Sequence, residues 1–417
     1  MSVDTAYDLT WDEREDGMVD MSRSQREKQG WVRGIVARLA LGLAVCVVGV
    51  MIACLAGCAD KSDVVTLPAL NEVTDKSLKD VFAEHGLKVG TCVSGYVIGQ
   101  DRTADLIKSQ YNSITMENAM KPDAILNQQQ SQAMGEVVVE YSQEALQVLE
   151  FAKKNGFSMR GHTLVWYSQT PEWLFRQGFD EQSGFVSREE MLSRMETMIR
   201  KNFEELERLG YLDLFYAYDV VNEAWTEDGE LYQNHWLEII GEDYLWYAFS
   251  YADKYAPESI DLYYNDYNEQ WKADVIAQFV ETLKDEDGRS LIDGIGLQAH
   301  LFTSDDLSQY FEGLDKLAKT GLKLEITELE VSLGKYQEPL AATEENLKTQ
   351  GKFYYQLIHG IFDRVDAGKL NMDAVTFWGF SDAYSWRSEY SPQLYSTELF
   401  PKRALYGVMQ IEEYAGY

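Results

Sequence analysis

Acidic residues that end apolar segments are the first features of this sequence that could do chemistry. In DVVNEAW (219–225), Asn222 and Glu223 follow two valines with no turn residue between them. Glu328 follows an apolar run in the same way within ITELEV (326–331). A single glutamate at a strand end is usually exposed or paired with Arg or Lys. Two carboxyl groups at one site, however, can divide acid–base and nucleophilic work between them.

The elements that must position these carboxyl groups are apolar runs that alternate with amphipathic helical stretches. Eight strand-like runs with crossover-length segments between them predict a parallel sheet, and so an α/β fold, a single (β/α)8 TIM barrel. The runs cover 88–96, 111–118, 158–166, 214–224, 260–268, 292–300, 322–331 and 372–380. Helices are predicted over 142–155, 187–209, 271–286, 306–319 and 342–365, with a capping-box pattern at Ser187 and Glu190.

Unusual polar and aromatic residues stand at the C-terminal ends of most of these runs. They are Glu117 and Asn118, His162, Asn222 and Glu223, Asn265 and Asp266, Gln298 and His300, Glu328, and Trp378. In a TIM barrel these strand ends share one face, and active sites are built there. The pattern therefore predicts an active site rather than a set of unrelated surface charges.

Glu223 and Glu328 follow the fourth and seventh runs, which lie on opposite sides of an eight-stranded barrel. Their carboxyl groups are therefore expected to face each other over a bound ring. A retaining glycosidase needs such a pair about 5–5.5 Å apart, one to protonate the leaving oxygen and one to attack the anomeric carbon. The two glutamates predict this chemistry.

Seven stretches of the sequence resemble glycoside hydrolase family 10, the endo-1,4-β-xylanases with (β/α)8 barrels. In the family's order they are SITMENAMKP (113–122), RGHTLVWYSQTPEW (160–173), DVVNEAW (219–225), LYYNDYN (262–268), GLQAH (296–300), ITELEV (326–331) and TFWGFSDAYSW (376–386). The resemblance covers the whole predicted barrel. It implies a glycoside hydrolase, EC 3.2.1.8, that cleaves β-1,4-xylosidic linkages within xylan by double displacement.

The resemblance also implies a role for each matching residue. Glu223 matches the acid/base, Glu328 matches the nucleophile, and Asn222 is placed to hydrogen-bond the sugar 2-hydroxyl. The other substrate-binding positions are Glu117, Asn118 and Lys121 at the non-reducing-side sugars, His162 and Trp166 in the wall of the central subsite, Gln298 and His300 beside the nucleophile, and Trp378 and Trp386 in an aromatic lid. Core packing is the alternative role for each of the two lid tryptophans.

Two positions depart from the family's pattern. Tyr167 in VWYSQ stands where the family commonly has His, and a phenol can donate a hydrogen bond but carries no positive charge near neutral pH. Glu330 stands where the family more often has Asp, which lengthens the arm beside the nucleophile. We expect both to affect pH optimum and local hydrogen bonding more than activity itself.

The N-terminal segment is expected to export the protein. Residues 39–57 form an uncharged apolar run after several basic residues, and the run leads into LAGC, Leu55 to Cys58, which resembles a bacterial lipobox with Cys58 as the lipidation site. A start at Met21 would give a more ordinary signal sequence. A cell-surface lipoprotein is favoured over an uncleaved anchor or simple secretion, and all three place the protein outside the cytoplasm. The expected organisation is a signal peptide with lipobox or anchor over 1–58, a tether over 59–70 and the catalytic domain over 71–417.

Composition restricts the possible partners. The net charge of −32 argues against nucleic acid, whose phosphates need clustered Lys and Arg. The five histidines lack HExxH or paired spacing, so no metal or other cofactor is expected. We expect a monomer that binds xylan and xylo-oligosaccharides and contacts a membrane only through its N-terminal anchor.

Two other functions fit parts of the same pattern. A related barrel could cleave cellulose or mixed-linkage glucan, although a tight fit around Glu117, Lys121 and Trp386 would exclude the hydroxymethyl group of glucose. A non-catalytic, surface-tethered glycan-binding protein could also use this fold. The presence of both glutamates argues against that second alternative.

Overall fold

Eight parallel strands close into a barrel in the computed structural model, which describes Val65 and residues 67–417. Each strand pairs with the next along the chain, and the eighth also pairs with the first. The strands are β1 Lys88–Val93, β2 Ser113–Met116, β3 Ser158–Gly161, β4 Phe215–Asn222, β5 Asp261–Asp266, β6 Gly294–Leu297, β7 Lys323–Ser332 and β8 Met372–Phe377. Each lies almost wholly within one predicted run, so the predicted (β/α)8 barrel is confirmed.

A helix follows each strand, and the first seven of these helices return the chain to the start of the next strand. These helices are α1 Asp101–Gln110, α2 Gln143–Asn155, α3 Arg188–Leu209, α4 Tyr244–Tyr255, α5 Glu269–Val280, α6 Leu307–Leu317, α7 Glu344–Asp366 and α8 Arg403–Val408. Further short helices are Leu70–Val73, Leu78–Ala83, Gly95–Ile98, Pro122–Ile125, Gln128–Met134, His235–Ile240 and Glu412–Ala415. Single 3-10 turns are Glu172–Phe175, Gln177–Phe179, Leu212–Leu214, Ala318–Thr320, Asp382–Tyr384 and Ser388–Tyr390.

Helix α3 shows how local sequence sets an element's ends. The Ser187 hydroxyl accepts a hydrogen bond from the Glu190 backbone N–H at 3.3 Å, and Gly210 ends the helix in the left-handed conformation. The predicted capping box is only half correct, because the Glu190 carboxylate pairs with Arg194 one turn later instead of returning to Ser187. An arginine with five donors competes for that carboxylate more strongly than one backbone N–H.

The predicted helix over 271–286 was wrong at its C-terminal end, because α5 ends at Val280. The Asp285 carboxylate accepts hydrogen bonds from the backbone N–H groups of Asp287 and Arg289, and Gly288 has a positive φ of 82°. Aspartate and glycine in this arrangement favour a turn over a helix. The polar stretch after α5 is therefore a turn that leads into β6.

Charged side chains fill part of the barrel interior. Arg160 on β3 bonds Asp219 on β4, and its Nε lies 2.9 Å from the Glu325 carboxylate on β7. All three side chains are buried. Burial raises the pKa of Glu325 to about 7, although the Arg160 charge opposes that rise. This network ties three strands together directly below the ends that carry the predicted site.

A short strand beside β7 also helps to fix the position of the end of β7. His300–Phe302 pairs in parallel with the end of β7, and the register sets His300 opposite Glu330. A small antiparallel pair, Gly334–Lys335 with Glu338–Pro339, follows. The loop end of β7 is thereby held in a fixed geometry.

The predicted lipobox with Cys58, the apolar run 39–57 and most of the predicted tether lie outside the described residues. Among the residues that are described, no helix is both long enough and apolar enough to cross a membrane.

Candidate active site

The predicted site residues meet at the C-terminal mouth of the barrel. Glu117, His162, Glu223 and Trp378 each follow the last residue of a strand, namely β2, β3, β4 and β8. Glu328 lies inside the C-terminal half of β7. The side chains of these residues therefore come from strands around the whole barrel.

A chain of side-chain amides connects the two predicted catalytic glutamates. Asn265, at the end of β5, donates through Nδ2 to Glu328 Oε1 and to Asn222 Oδ1, both at 2.9 Å. Asn222 Nδ2 in turn donates to Glu223 Oε1 at 3.1 Å, and Gln298 Nε2 donates to the same oxygen at 2.9 Å. Both carboxyl groups are thus held in one hydrogen-bond network.

Two details of this network differ from the sequence-based expectation. Gln298 was expected beside the nucleophile, yet its amide nitrogen bonds Glu223 and Asn222. Asn265 was not among the proposed site residues, although it bridges both halves of the network. Its sequence signals were its place at the end of a strand-like run and within the family-like stretch LYYNDYN (262–268).

Glu223 occupies an unusual backbone conformation. Its φ is +56°, in the left-handed region that a glutamate rarely adopts, and its N–H donates to the Asn265 carbonyl at 2.9 Å. Such a conformation costs on the order of 1 kcal/mol and persists where surrounding contacts enforce it. Side-chain oxygen Oε2 accepts from Trp166 Nε1 at 3.0 Å and lies 3.3 Å from the Tyr167 hydroxyl. The strained turn directs the carboxyl group towards the barrel mouth.

Glu328 is held ionised by its neighbours. His300 Nε2 lies 3.1 Å from Glu328 Oε2, and His300 Nδ1 lies 2.8 Å from Glu330 Oε1. Burial opposes ionisation of Glu328, but the His300 hydrogen bond and the Coulombic effects of His162, His300 and Lys121 outweigh it and lower its pKa to about 2. Burial likewise opposes protonation of His300, yet the two carboxylates raise its pKa to about 9. A carboxylate, an imidazolium and a second carboxylate therefore form a buried row of alternating charge.

Glu330 fixes the outer end of this row. Its Oε1 also accepts from Trp386 Nε1 at 3.1 Å, and its Oε2 lies 3.4 Å from Gln393 Nε2. The Trp386 ring meets the His300 ring edge-on with centroids 5.4 Å apart. The longer arm expected for Glu330 thus contacts both the histidine and the predicted lid.

The two lid tryptophans have different environments. Trp386 is 54% exposed, which leaves its ring available to a ligand. Trp378 is 6% exposed and packs edge-on against His162 at 5.4 Å. His162 is itself held by Asp219, whose Oδ2 lies 2.9 Å from His162 Nδ1. Trp378 therefore supports the wall of the site more than it covers it.

A polar corner lies on the β2 side of the mouth. Lys121 Nζ donates to Asn118 Oδ1 at 3.1 Å and to Gln169 Oε1 at 2.8 Å, and it lies 5.0 Å from the Trp166 ring centroid. Burial lowers the pKa of Lys121 and raises that of Glu117. A sugar hydroxyl can accept from the ammonium group and donate to the carboxylate, so this corner suits a polyhydroxylated ligand.

Tyrosines occupy the opposite side, near β4 and β5. The rings of Tyr167 and Tyr232 stack with centroids 5.0 Å apart, and the Tyr232 and Tyr267 hydroxyls lie 2.6 Å apart. Lys272 Nζ sits 3.8 Å from the Tyr267 ring centroid and 2.7 Å from Asp266 Oδ1. Burial raises the pKa of Asp266 to about 6, although the Lys272 charge opposes that rise. Sequence reasoning gave no role to this group beyond the substitution at Tyr167.

Comparison with known proteins places this geometry in a family. Residues 77–411 match the model of "Glycosyl hydrolase family 10". The chain is 38% identical over 347 residues to the bifunctional endo-1,4-beta-xylanase XylA of Ruminococcus flavefaciens, covering 80% of this chain and 34% of the relative. It is 34% identical over 338 residues to endo-1,4-beta-xylanase B of Butyrivibrio fibrisolvens, covering 78% of this chain and 51% of the relative. The chain thus spans about a third of the first relative's length and about half of the second's.

A solved structure supports the same assignment. It contains the CBM22-1 and GH10 modules of the N-terminal part of a Clostridium thermocellum endo-1,4-beta-D-xylanase, in complex with xylohexaose. The TM-score is 0.71 at 33% identity, covering 82% of this chain and 69% of that one. With the family match over most of its length and the two glutamates at the barrel mouth, this chain belongs to glycosyl hydrolase family 10.

Proposed function

We propose that this protein is an endo-1,4-β-xylanase that cleaves xylan with retention of anomeric configuration. Glu223 acts as the acid/base and Glu328 as the nucleophile. In the first step Glu328 attacks the anomeric carbon while Glu223 protonates the departing glycosidic oxygen. In the second step Glu223 takes a proton from water, which displaces Glu328 from the covalent glycosyl-enzyme.

The observation that supports this proposal is that the two carboxyl groups differ in burial and in their neighbouring charges. Glu328 is buried against His300 with a pKa of about 2, so it is ionised and ready to attack. Glu223 is partly exposed at the mouth and contacts no cationic side chain by hydrogen bond or ion pair among the described residues. A nucleophile must carry charge, which the buried contact with His300 favours for Glu328, and an acid/base must reach water in the second step, which the partial exposure of Glu223 allows.

The remaining side chains suit a xylan chain laid across the mouth. Lys121, Asn118 and Glu117 present donors and acceptors to the hydroxyls of the sugars on the non-reducing side. The amide of Asn222 lies beside Glu223, where it can bond the sugar 2-hydroxyl during attack. The exposed face of Trp386 offers an apolar platform to a pyranose ring. The names of the relatives and the xylohexaose complex of the solved neighbour also support xylan as substrate.

Substituting the acid/base tests this proposal. Glu223→Ala should lose most activity on xylan yet retain first-step activity on aryl xylobiosides with good leaving groups, which need little protonation. Added azide should restore turnover and yield a β-xylosyl azide, because a small anion can replace the water that Glu223 activates. Glu227→Ala, four residues later and exposed, is the matched control and should behave like the parent.

The substrate class is tested with oligosaccharides. The parent protein should hydrolyse xylo-oligosaccharides much faster than cello-oligosaccharides of equal length. A preference for the glucose series would contradict the xylanase proposal, and an α-azide or no azide product from Glu223→Ala would contradict the proposed roles.

We also propose that the protein is exported and attached to the cell surface through a lipid on Cys58. The apolar run before LAGC and the basic residues ahead of it support this location. Labelling cells with a radioactive fatty acid should mark the parent protein and not Cys58→Ala. Label on the variant, or none on the parent, would contradict lipidation.

A further inference from the structure

The Glu223 carboxyl group has four hydrogen-bonding neighbours, and they differ in what they can do. Oxygen Oε1 lies 3.1 Å from Asn222 Nδ2 and 2.9 Å from Gln298 Nε2. Oxygen Oε2 lies 3.0 Å from Trp166 Nε1 and 3.3 Å from the Tyr167 hydroxyl. An acid/base alternates between protonated and ionised states, so its neighbours must accommodate both.

Three of these four neighbours act only as donors. An indole N–H has no acceptor capacity. The Asn222 amide cannot turn its oxygen to Glu223, because that oxygen already accepts from Asn265 Nδ2 at 2.9 Å and from Gln298 Nε2 at 3.3 Å. The same contact fixes Gln298, since a reversed amide would set two oxygens against each other. A protonated Glu223 can therefore donate to none of the three.

The hydroxyl of Tyr167 can both donate and accept. We propose that Tyr167 is a positioning residue for the acid/base: its hydroxyl accepts a hydrogen bond from protonated Glu223 before catalysis and donates one to the Glu223 carboxylate after the proton has left. This inference rests on the proposed role of Glu223. In the first step the Glu223 O–H bond breaks, the proton passes to the glycosidic oxygen as its C–O bond breaks, and the Tyr167 hydroxyl reorients towards the new carboxylate. In the second step water gives its proton to Glu223, and the hydroxyl turns back.

The surroundings of Tyr167 keep its hydroxyl in place. Its ring stacks on Tyr232, which is joined through its hydroxyl to Tyr267, and Lys272 lies under the Tyr267 ring. Burial and the nearby negative charge of Glu223 raise the pKa of Tyr167, so the phenol stays protonated throughout the working range. A histidine at this position could become charged, whereas Tyr167 reverses its hydrogen bond without changing charge.

Other titratable groups also face this pair. Lys121 from the end of β2, with Asp266 and Tyr267 from the end of β5, act on Glu223 through space. Tyr232 and Asp266 act on Tyr167. All of these groups are retained when residue 167 is replaced, so their effects cancel when variants are compared with the parent.

The pH dependence of kcat/KM on xylan tests the inference. Tyr167→Phe removes the acceptor of the acid form and the donor to the ionised form. A hydrogen bond to a charged group is the stronger of the two, so the ionised form loses more. Glu223 should then stay protonated to higher pH, and the basic limb of the kcat/KM pH profile should move to higher pH by roughly 0.5–1 pH unit. Activity near pH 6 should fall about tenfold on xylan and less on a substrate with an activated leaving group.

Two further variants separate this role from simple packing. Tyr167→His restores a donor and acceptor, so its basic limb should lie below that of the Phe variant. Tyr211→Phe removes a hydroxyl that lies 3.1 Å from a different carboxylate, that of Glu150, away from the barrel mouth, so it should leave the limb where the parent has it. A Phe variant whose limb stays within about 0.2 pH unit of the parent would overturn the inference, as would equal limbs for the Phe and His variants.

The outcome for Glu223→Ala distinguishes failure of this inference from failure of the proposed function. If Glu223→Ala loses xylan activity as proposed while Tyr167→Phe leaves the limb in place, Tyr167 has only a packing role. If Glu223→Ala keeps parental xylan activity, the assignment of the acid/base is wrong and this inference is overturned with it.

Discussion

Replacing Glu330 by glutamine should lower the pKa of His300 and weaken the charge that keeps Glu328 ionised. His300 lies between the two carboxylates, 3.1 Å from Glu328 and 2.8 Å from Glu330. Raising its pKa from 6.5 to about 9 corresponds to roughly 3 kcal/mol in favour of the imidazolium. Burial acts in the opposite direction, so the two carboxylates together supply more than this amount. Glutamine keeps an acceptor oxygen for Trp386, removes the charge that faces His300 and Arg387, and replaces the oxygen that faces Gln393 Nε2 with an amide nitrogen.

The expected change in the pKa of His300 follows from dividing the stabilisation of the imidazolium between the two carboxylates. Loss of one should lower the pKa of His300 by at least about one pH unit, towards 8 or below. A histidine with a raised pKa contributes stability that is complete below its unfolded value and is lost as pH rises through the folded value. In Glu330→Gln the stability that protonated His300 contributes should therefore be lost at lower pH than in the parent. For the same reason, the deficit in kcat/KM relative to the parent should grow between pH 6 and pH 8.

Nuclear magnetic resonance of 13C-labelled histidine measures this directly. The chain has five histidines, and the His300 signal is identified by its absence from a His300→Asn sample. Glu238→Gln is the matched control, because Glu238 pairs with a different histidine, His235, at 3.0 Å and should leave the His300 titration in place. A His300 that titrates near 6.5 in the parent, or whose titration is unchanged in Glu330→Gln, would contradict the proposed effect of the two carboxylates.

Two more substitutions test the supports of the site. Asn265→Ala removes the amide that bonds both Glu328 and Asn222, so kcat on xylan should fall roughly 10–100-fold, and a parental kcat would contradict the bridging role. Arg160→Met leaves two buried carboxylates without their cation and should lower the free energy of unfolding by about 3–5 kcal/mol, measured by urea denaturation. Arg188→Met, at an exposed ion pair, is its control and should have a much smaller effect; equal losses for the two arginines would contradict the account.

The barrel and the positions of Glu223 and Glu328 at its mouth could be predicted from the sequence because they depend on local pattern. Apolar runs that end in Asn222–Glu223 and near Glu328 identify strands and their C-terminal ends. The parallel strands of a barrel bring those ends to one face, the mouth of the barrel. The Ser187 cap was likewise readable from one residue and its neighbours. These features need no knowledge of pairing between distant segments.

Contacts that depend on register could not be predicted in this way. The contact of His300 with Glu330 requires the pairing of a three-residue strand with the end of β7. Asn265 looked like any other amide at a strand end until β4, β5 and β7 brought Asn222 and Glu328 within its reach. The stack of Tyr167 on Tyr232 joins loops far apart in sequence, so no spacing pattern indicates it. Helix α5 was predicted to extend too far because the prediction followed the apolar periodicity and gave too little weight to the turn at Asp285.

The most direct test of the account is to trap the covalent intermediate. A 2-deoxy-2-fluoroxylobioside with a good leaving group should inactivate the protein, because fluorine slows both steps while the leaving group still permits the first. Mass spectrometry of the digested protein should then find one fluoroxylobiosyl group per chain, attached to the peptide that carries Glu328. A label on any other residue, or steady release of the inverted α-sugar from an activated β-xylobioside without a label, would contradict the assignment of Glu328 as nucleophile.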